Sequence, residues 1–171
     1  MRHMLVIAVL LGGCSVAKST NMTDPPVIDP VIYTAATHVG YTETGNRQEL
    51  KKILGVDPVR TQWCAAYVNA ILAMHDIPGS ETVSENPLLA RSFLAWGYAV
   101  PYPEPGDVVV FPRGNKGWQG HVGFYVRSHI INGSIYYLIL GGNQDNSVSY
   151  DLYPAKSAIS IRRYLTSYED L

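Results

Sequence analysis

A chain of 171 residues that is 47% hydrophobic and 16% charged is long enough for one domain with a real core and too apolar to be disordered in bulk. Its formal net charge of −1 gives no general attraction for polyanions, which argues against a nucleic-acid partner. No internal repeat or single-sign charge block is present, so repeat architectures and charged interaction tails are excluded.

The first residues, "MRHMLVIAVLLGGC", place basic Arg2 before an apolar run from Met4 to Leu11. That run is too short to cross a bilayer as a mature helix and reads as an export signal. Leu11-Gly12-Gly13 before Cys14 resembles a bacterial lipobox, in which cleavage leaves Cys14 as a lipid-modified first residue. Residues 1–14 are then a signal segment and Cys14 a membrane anchor; the alternative is an ordinary signal peptide that removes it. The next stretch, "SVAKSTNMTDPPVIDP", has no helical or strand period and suits a tether over residues 15–30. The expected protein is exported and faces the periplasm or cell wall, with its folded domain over residues 31–171. Of the two cysteines, Cys14 belongs to the processing segment, which leaves Cys64 a free thiol.

Within "ETGNRQELKKILG", Leu50, Ile53 and Leu54 share one helical side and Gly55 is a stop. A stronger helix is expected from Trp63 to His75, closed by Ile77-Pro78-Gly79, and a short one from Pro87 to Trp96. The second half changes period. "PEPGDVVVFPRG", "GHVGFYV", "IYYLILGG", "SVSYDLY" and "AISIRRYL" are β-branched or aromatic runs between turn residues. Helices followed by an antiparallel sheet make an α+β pattern, with helices on one face of the sheet.

Thr61 is the expected N-cap of the Trp63 helix, which makes Cys64 its third residue. There, free backbone N–H groups and the positive end of the dipole stabilise a thiolate. Among the five histidines, His121 is the best base: His3 lies in the signal, His75 ends the cysteine helix, and His38 and His129 are expected in loops. Alternation in "GHVGFYV" puts His121, Gly123 and Tyr125 on one face, and the glycines leave room around the imidazole. A third group should orient that ring. A three-residue "INGS" hairpin loop with Gly133 in a bulge pairs Ile130 with Ser134 and sets His121 opposite Asn143. A two-residue Asn132-Gly133 turn instead sets His121 opposite Gln144 and turns Asn143 to the other face.

Taken singly, a helical cysteine and a strand histidine are most often structural. Together with a polar neighbour they match the Cys-His-Asn arrangement of thiol hydrolases. Trp63 and Trp96 occupy helix positions that favour the core, whereas Trp118, in the glycine-rich "RGNKGWQGH", should line a cleft rim and pack on substrate. Scattered histidines, with no CxxC or HExxH spacing, give no reason to expect a metal or other cofactor.

"WCAAYVNAIL", "PGDVVVF", "GHVGFYV" and "LGGNQ", in that order, resemble the CHAP and NlpC-type cell-wall cysteine hydrolases over Gly40 to Arg163. The resemblance implies a papain-like α+β fold and peptidoglycan as the partner and substrate. It also implies Cys64 as nucleophile, His121 as base and Asn143 as the orienting residue. "GYTETG" resembles a further family segment and brings Glu43 towards the cleft as a candidate substrate contact. Asp107 also matches, although closing a turn before a strand is its better reading. Gln62 stands where relatives often have proline, and its amide is a candidate oxyanion donor. The function so implied is a lipid-anchored peptidoglycan amidase or endopeptidase. The alternatives are a non-catalytic wall-binding or interaction lipoprotein with the same fold, and a thiol acyltransferase.

Overall fold

Asp29 starts the first helix by accepting from the N–H groups of Val31 (2.9 Å) and Ile32 (3.1 Å) through its Oδ1, while Pro30 occupies the first helical position without needing a donor. The computed structural model describes residues 29–164. The export signal, Cys14 and the expected tether up to residue 28 lie outside the described residues. Asp29 and Pro30, the last two residues of that tether, belong to the cap and first turn of α1 (Pro30–Ala36).

Helix α2 (Arg47–Leu54) buries Leu50 and Leu54 and ends at Gly55, whose φ of 69° and N–H bond to the Lys51 carbonyl form a left-handed C-cap. Helix α3 (Cys64–Ala73) is apolar nearly all round and buries Cys64, Ala65, Ala66, Tyr67, Val68, Ile71 and Leu72, the pattern of a helix enclosed by other elements. The short helix expected at Pro87–Trp96 contracts to a 3-10 turn at Ala90–Leu94. The chain must leave it through Gly97 (φ 54°), where a Cβ would lie 2.2 Å from the Arg163 carbonyl oxygen.

Six strands form one antiparallel sheet: β1 (Tyr98–Ala99), β2 (Val108–Pro112), β3 (Gly120–Ile131), β4 (Ser134–Gln144), β5 (Ser147–Pro154) and β6 (Ser160–Arg163), in spatial order β1-β6-β2-β3-β4-β5. Strand β1 is too short to carry an alternation signal. His129, expected in a loop, lies within β3.

Alternation along β2 and β3 divides the core. Val108, Val110, Val122 and Phe124 pack with α1, α2 and α3, while Val109, Phe111, Tyr125, Ile139 and Ile161 form a smaller cluster on the other face. The helices thus lie on one face, as the order of elements suggests. Trp63 and Trp96 are core residues, 0% and 3% exposed. A Cβ on Gly142 would meet Trp63 Cζ3 at 2.5 Å and Tyr67 Cβ at 2.7 Å, so glycine here lets β4 press against the start of α3. Asp107 closes the turn before β2 by accepting from the Glu104 N–H (2.7 Å), and also grips Arg163 on β6 with two 2.8 Å bonds.

Candidate active site

Cys64 is the first residue of α3 rather than the third. The N-cap is Trp63 (φ −113°, ψ 12°), with no side-chain capping bond, so the expected Thr61 cap is not formed. This puts the sulfur at the extreme helix end, where the N–H groups of Val122, Ala65 and Cys64 itself all favour the thiolate, as does the Arg113 guanidinium. Burial is nevertheless the largest influence. At 3% exposure the thiol is pushed above its ordinary pKa, which corrects the expectation of a thiolate stabilised by the helix end.

His121 lies opposite Phe111 in the β2–β3 ladder and is 1% exposed. Its ring stacks on Tyr153 (centroids 5.3 Å apart, planes at 16°), which stacks in turn on Phe111 at 4.6 Å. The Tyr153 phenol is pushed up to about 12, mainly by burial, with Cys64 among the groups contributing. Tyr153 is therefore in contact with the imidazole and within reach of the thiol's charge.

The orientation of the imidazole is set by Gln144. Gln144 Nε2 donates to the Ser149 carbonyl (2.6 Å) and to Ser149 Oγ (3.2 Å), which fixes the amide so that Oε1 faces His121 Nε2 at 3.0 Å. An oxygen at that position requires His121 Nε2 to carry the proton. Nδ1 is then the free acceptor; it is buried and has no hydrogen-bond partner among the described residues. A Cβ on Gly141 would sit 3.2 Å from Gln144 Oε1 and 3.5 Å from His121 Nε2, so the glycine leaves room for this contact.

Burial first, then the positive charge of Arg113, lowers the His121 pKa from 6.5 to about 4, against an upward pull from Gln144. Between these values the unfolded chain binds a proton that the folded protein does not, so folding stability rises with pH across this window. The contribution is complete above 6.5 and is lost as pH falls towards 4, and amounts to about 3 kcal/mol. Chemical denaturation at a series of pH values should show this slope in the wild type and a flatter one in His121→Gln. Equal slopes would mean that His121 is protonated in the folded state.

The expected pairing of His121 with Asn143 does not occur, and neither simple hairpin register accounts for the result. The turn is the two-residue form, with Asn132 (φ 49°) and Gly133 (φ 74°) left-handed and Ile131 opposite Ser134. A bulge between Tyr125 and Arg127 then shifts the ladder by one residue, bringing Phe124 opposite Leu140. A second irregularity lies between Gly141 and Gln144, where Asn143 is itself left-handed (φ 58°). That twist brings Gln144 onto His121 and turns the Asn143 Nδ2 outward to donate to Gln62 Oε1 at 3.0 Å.

A cleft of about 150 Å³ opens beside Cys64, lined by Cys64, Gln62, Arg113, Trp118 and the apolar Leu88–Ala90 segment. Trp118 is 57% exposed, as expected of a rim residue. Glu43 lies outside this lining. Its carboxylate accepts from Trp63 Nε1 at 3.4 Å and its backbone N–H donates to the Asn146 carbonyl. Sequence reasoning missed Arg113, Tyr153 and Ser149. The first signal was present: "FPRG" places an arginine two residues beyond Phe111, the partner of His121. The other two depend on a β5 register that follows the second irregularity.

Helices on one face of an antiparallel sheet, with a cysteine at a helix start and a histidine on a neighbouring strand, define a papain-like α+β fold. A family model described as the CHAP domain matches residues 56–143, and the chain belongs to that family. CHAP domains are typically hydrolases that act on peptidoglycan. No curated protein matches the chain.

Proposed function

We propose that this protein cleaves an amide bond of the cell-wall peptide, as an endopeptidase or amidase, with Cys64 as nucleophile and His121 as base. The observation that carries this reading is the unpartnered His121 Nδ1, held in acceptor form by Gln144. The resting pair is a neutral thiol and a neutral imidazole, since burial disfavours charge on both. As Sγ attacks the scissile carbonyl its proton passes to Nδ1, and the oxyanion accepts from the Cys64 N–H and from Gln62 Nε2. Asn143 holds the Gln62 oxygen, which leaves that nitrogen as the donor. Nδ1 then protonates the departing amine as the C–N bond breaks, giving a thioester. Water, deprotonated by Nδ1, attacks the thioester and releases the acid and the free thiol. Trp118 packs on the substrate at the rim, and Glu43 supports Trp63 from behind the site.

Alkylation of Cys64 tests this reading. The rate should continue to climb with pH beyond the ordinary thiol value of about 8.5, wall fragments should slow it, and complete labelling should end the release of soluble wall fragments. A folded, fully alkylated protein that still releases fragments would remove Cys64 from the chemistry. An unlabelled protein that releases none would favour a wall-binding module.

The export signal and Cys14 belong to the same proposal: the enzyme acts from a lipid anchor on the outer side of a membrane. Metabolic labelling with a fatty-acid analogue should tag the wild type and not Cys14→Ser. Equal labelling of both, or of neither, would remove the anchor.

A further inference from the structure

Among the described residues, Arg113 is the one cation lining the cleft that holds Cys64. Its Nη2 donates to the Asn143 carbonyl at 3.1 Å, and no carboxylate lies within ion-pair distance of it among the described residues. Arg47, Arg60 and Arg163 have acidic partners, whereas Arg91 and Arg162 donate to backbone carbonyls and Arg127 to His129, and none of these three lines the cleft. Asp151 senses the Arg113 charge from β5 without pairing with it. The rest of the lining is mainly apolar, with Leu88 and Leu89 41% and 37% exposed and Trp118 more so. A guanidinium fixed by a backbone carbonyl at the edge of an apolar cleft presents its remaining donors to whatever enters.

We propose that Arg113 binds a free carboxylate of the substrate, so that the enzyme selects acidic stem peptides over their amidated counterparts. This rests on the reading of the site as a peptidoglycan hydrolase. Wall peptides carry such carboxylates close to their amide bonds, and a guanidinium matches a carboxylate in two parallel bonds. The bound anion also assists the reaction. Alone, the Arg113 charge opposes formation of an imidazolium on His121 during proton transfer, and a substrate carboxylate cancels that opposition. The specificity determinant is thus linked to the base, and carboxylate recognition acts on turnover as well as on binding.

The test uses two purified cross-linked muropeptides that differ only in whether the isoglutamyl carboxyl group is free or amidated. The wild type should show a kcat/KM about tenfold or more higher on the free acid. Arg113→Gln should lose that preference by falling about tenfold on the acid, while the amide, on which no carboxylate offsets the Arg113 charge, is cleaved no more slowly than by the wild type; Arg113→Lys should fall between. Thermal unfolding of each variant confirms that it is folded. Equal losses on both substrates would reduce Arg113 to a support for the Asn143 backbone and overturn the proposal. Equal cleavage of both by the wild type overturns it too, while leaving the hydrolase reading intact. Cleavage of neither overturns both.

Discussion

Cys64→Ala and His121→Ala are each expected to lower peptidoglycan hydrolysis by about three orders of magnitude or more, and the double variant should be scarcely worse than either. In the proposed mechanism the two side chains perform one step: removing the sulfur leaves nothing for Nδ1 to deprotonate, and removing the imidazole leaves a buried thiol above its ordinary pKa with no proton acceptor. Cys64→Ala removes one buried sulfur and should remain folded. His121→Ala also removes a ring stacked on Tyr153, so its folding should be checked, and His121→Gln provides a variant of closer volume. Losses that multiply in the double variant would mean that the residues act in separate steps.

The second large effect concerns the two amides on β4. Gln144→Ala should reduce kcat by about 100-fold, because the imidazole loses the acceptor that fixes its tautomer and Nδ1 ceases to be reliably unprotonated. Gln144 also draws the His121 pKa upward, so its removal should move the acid limb of the pH profile lower. Gln144→Glu keeps an acceptor for Nε2–H but cannot donate to the Ser149 carbonyl; it should recover part of the activity with the acid limb moved higher. A role confined to packing would not produce these opposite shifts. Asn143→Gly retains the left-handed backbone without its strain and deletes only the amide that holds Gln62. Its loss should be about tenfold, with no displacement of the acid limb. A larger loss in Asn143→Gly than in Gln144→Ala would show that Asn143 carries the orienting role.

The placements of Cys64 at a helix start, His121 on a strand and Trp118 at the cleft rim were legible in the sequence because their signals are local: a thiol before an apolar small-residue helix, a glycine-flanked histidine in an alternating strand, and a tryptophan in a glycine-rich loop. The sheet and its helical face followed from the change in hydrophobic period. The orienting residue was not legible, since His121 and Gln144 are separated by a turn, a bulge and a left-handed asparagine, and each changes which side chains face one another. The Asn132-Gly133 turn signal pointed to Gln144, but the bulge between Tyr125 and Arg127 reversed that parity and the twist at Asn143 restored it. The protonation of the pair was hidden as well. A helix N-terminus argues for a thiolate, and only the depth of burial shows that desolvation outweighs it.

The mass of the products formed from purified peptidoglycan tests the central claim most directly. Wild-type protein should release fragments in which one wall-peptide amide has gained the elements of water, leaving a new carboxyl and a new amine, and folded Cys64→Ala should release none. Fragments released undiminished by Cys64→Ala, or cut only at glycosidic bonds, would contradict a thiol attack on the cell-wall peptide.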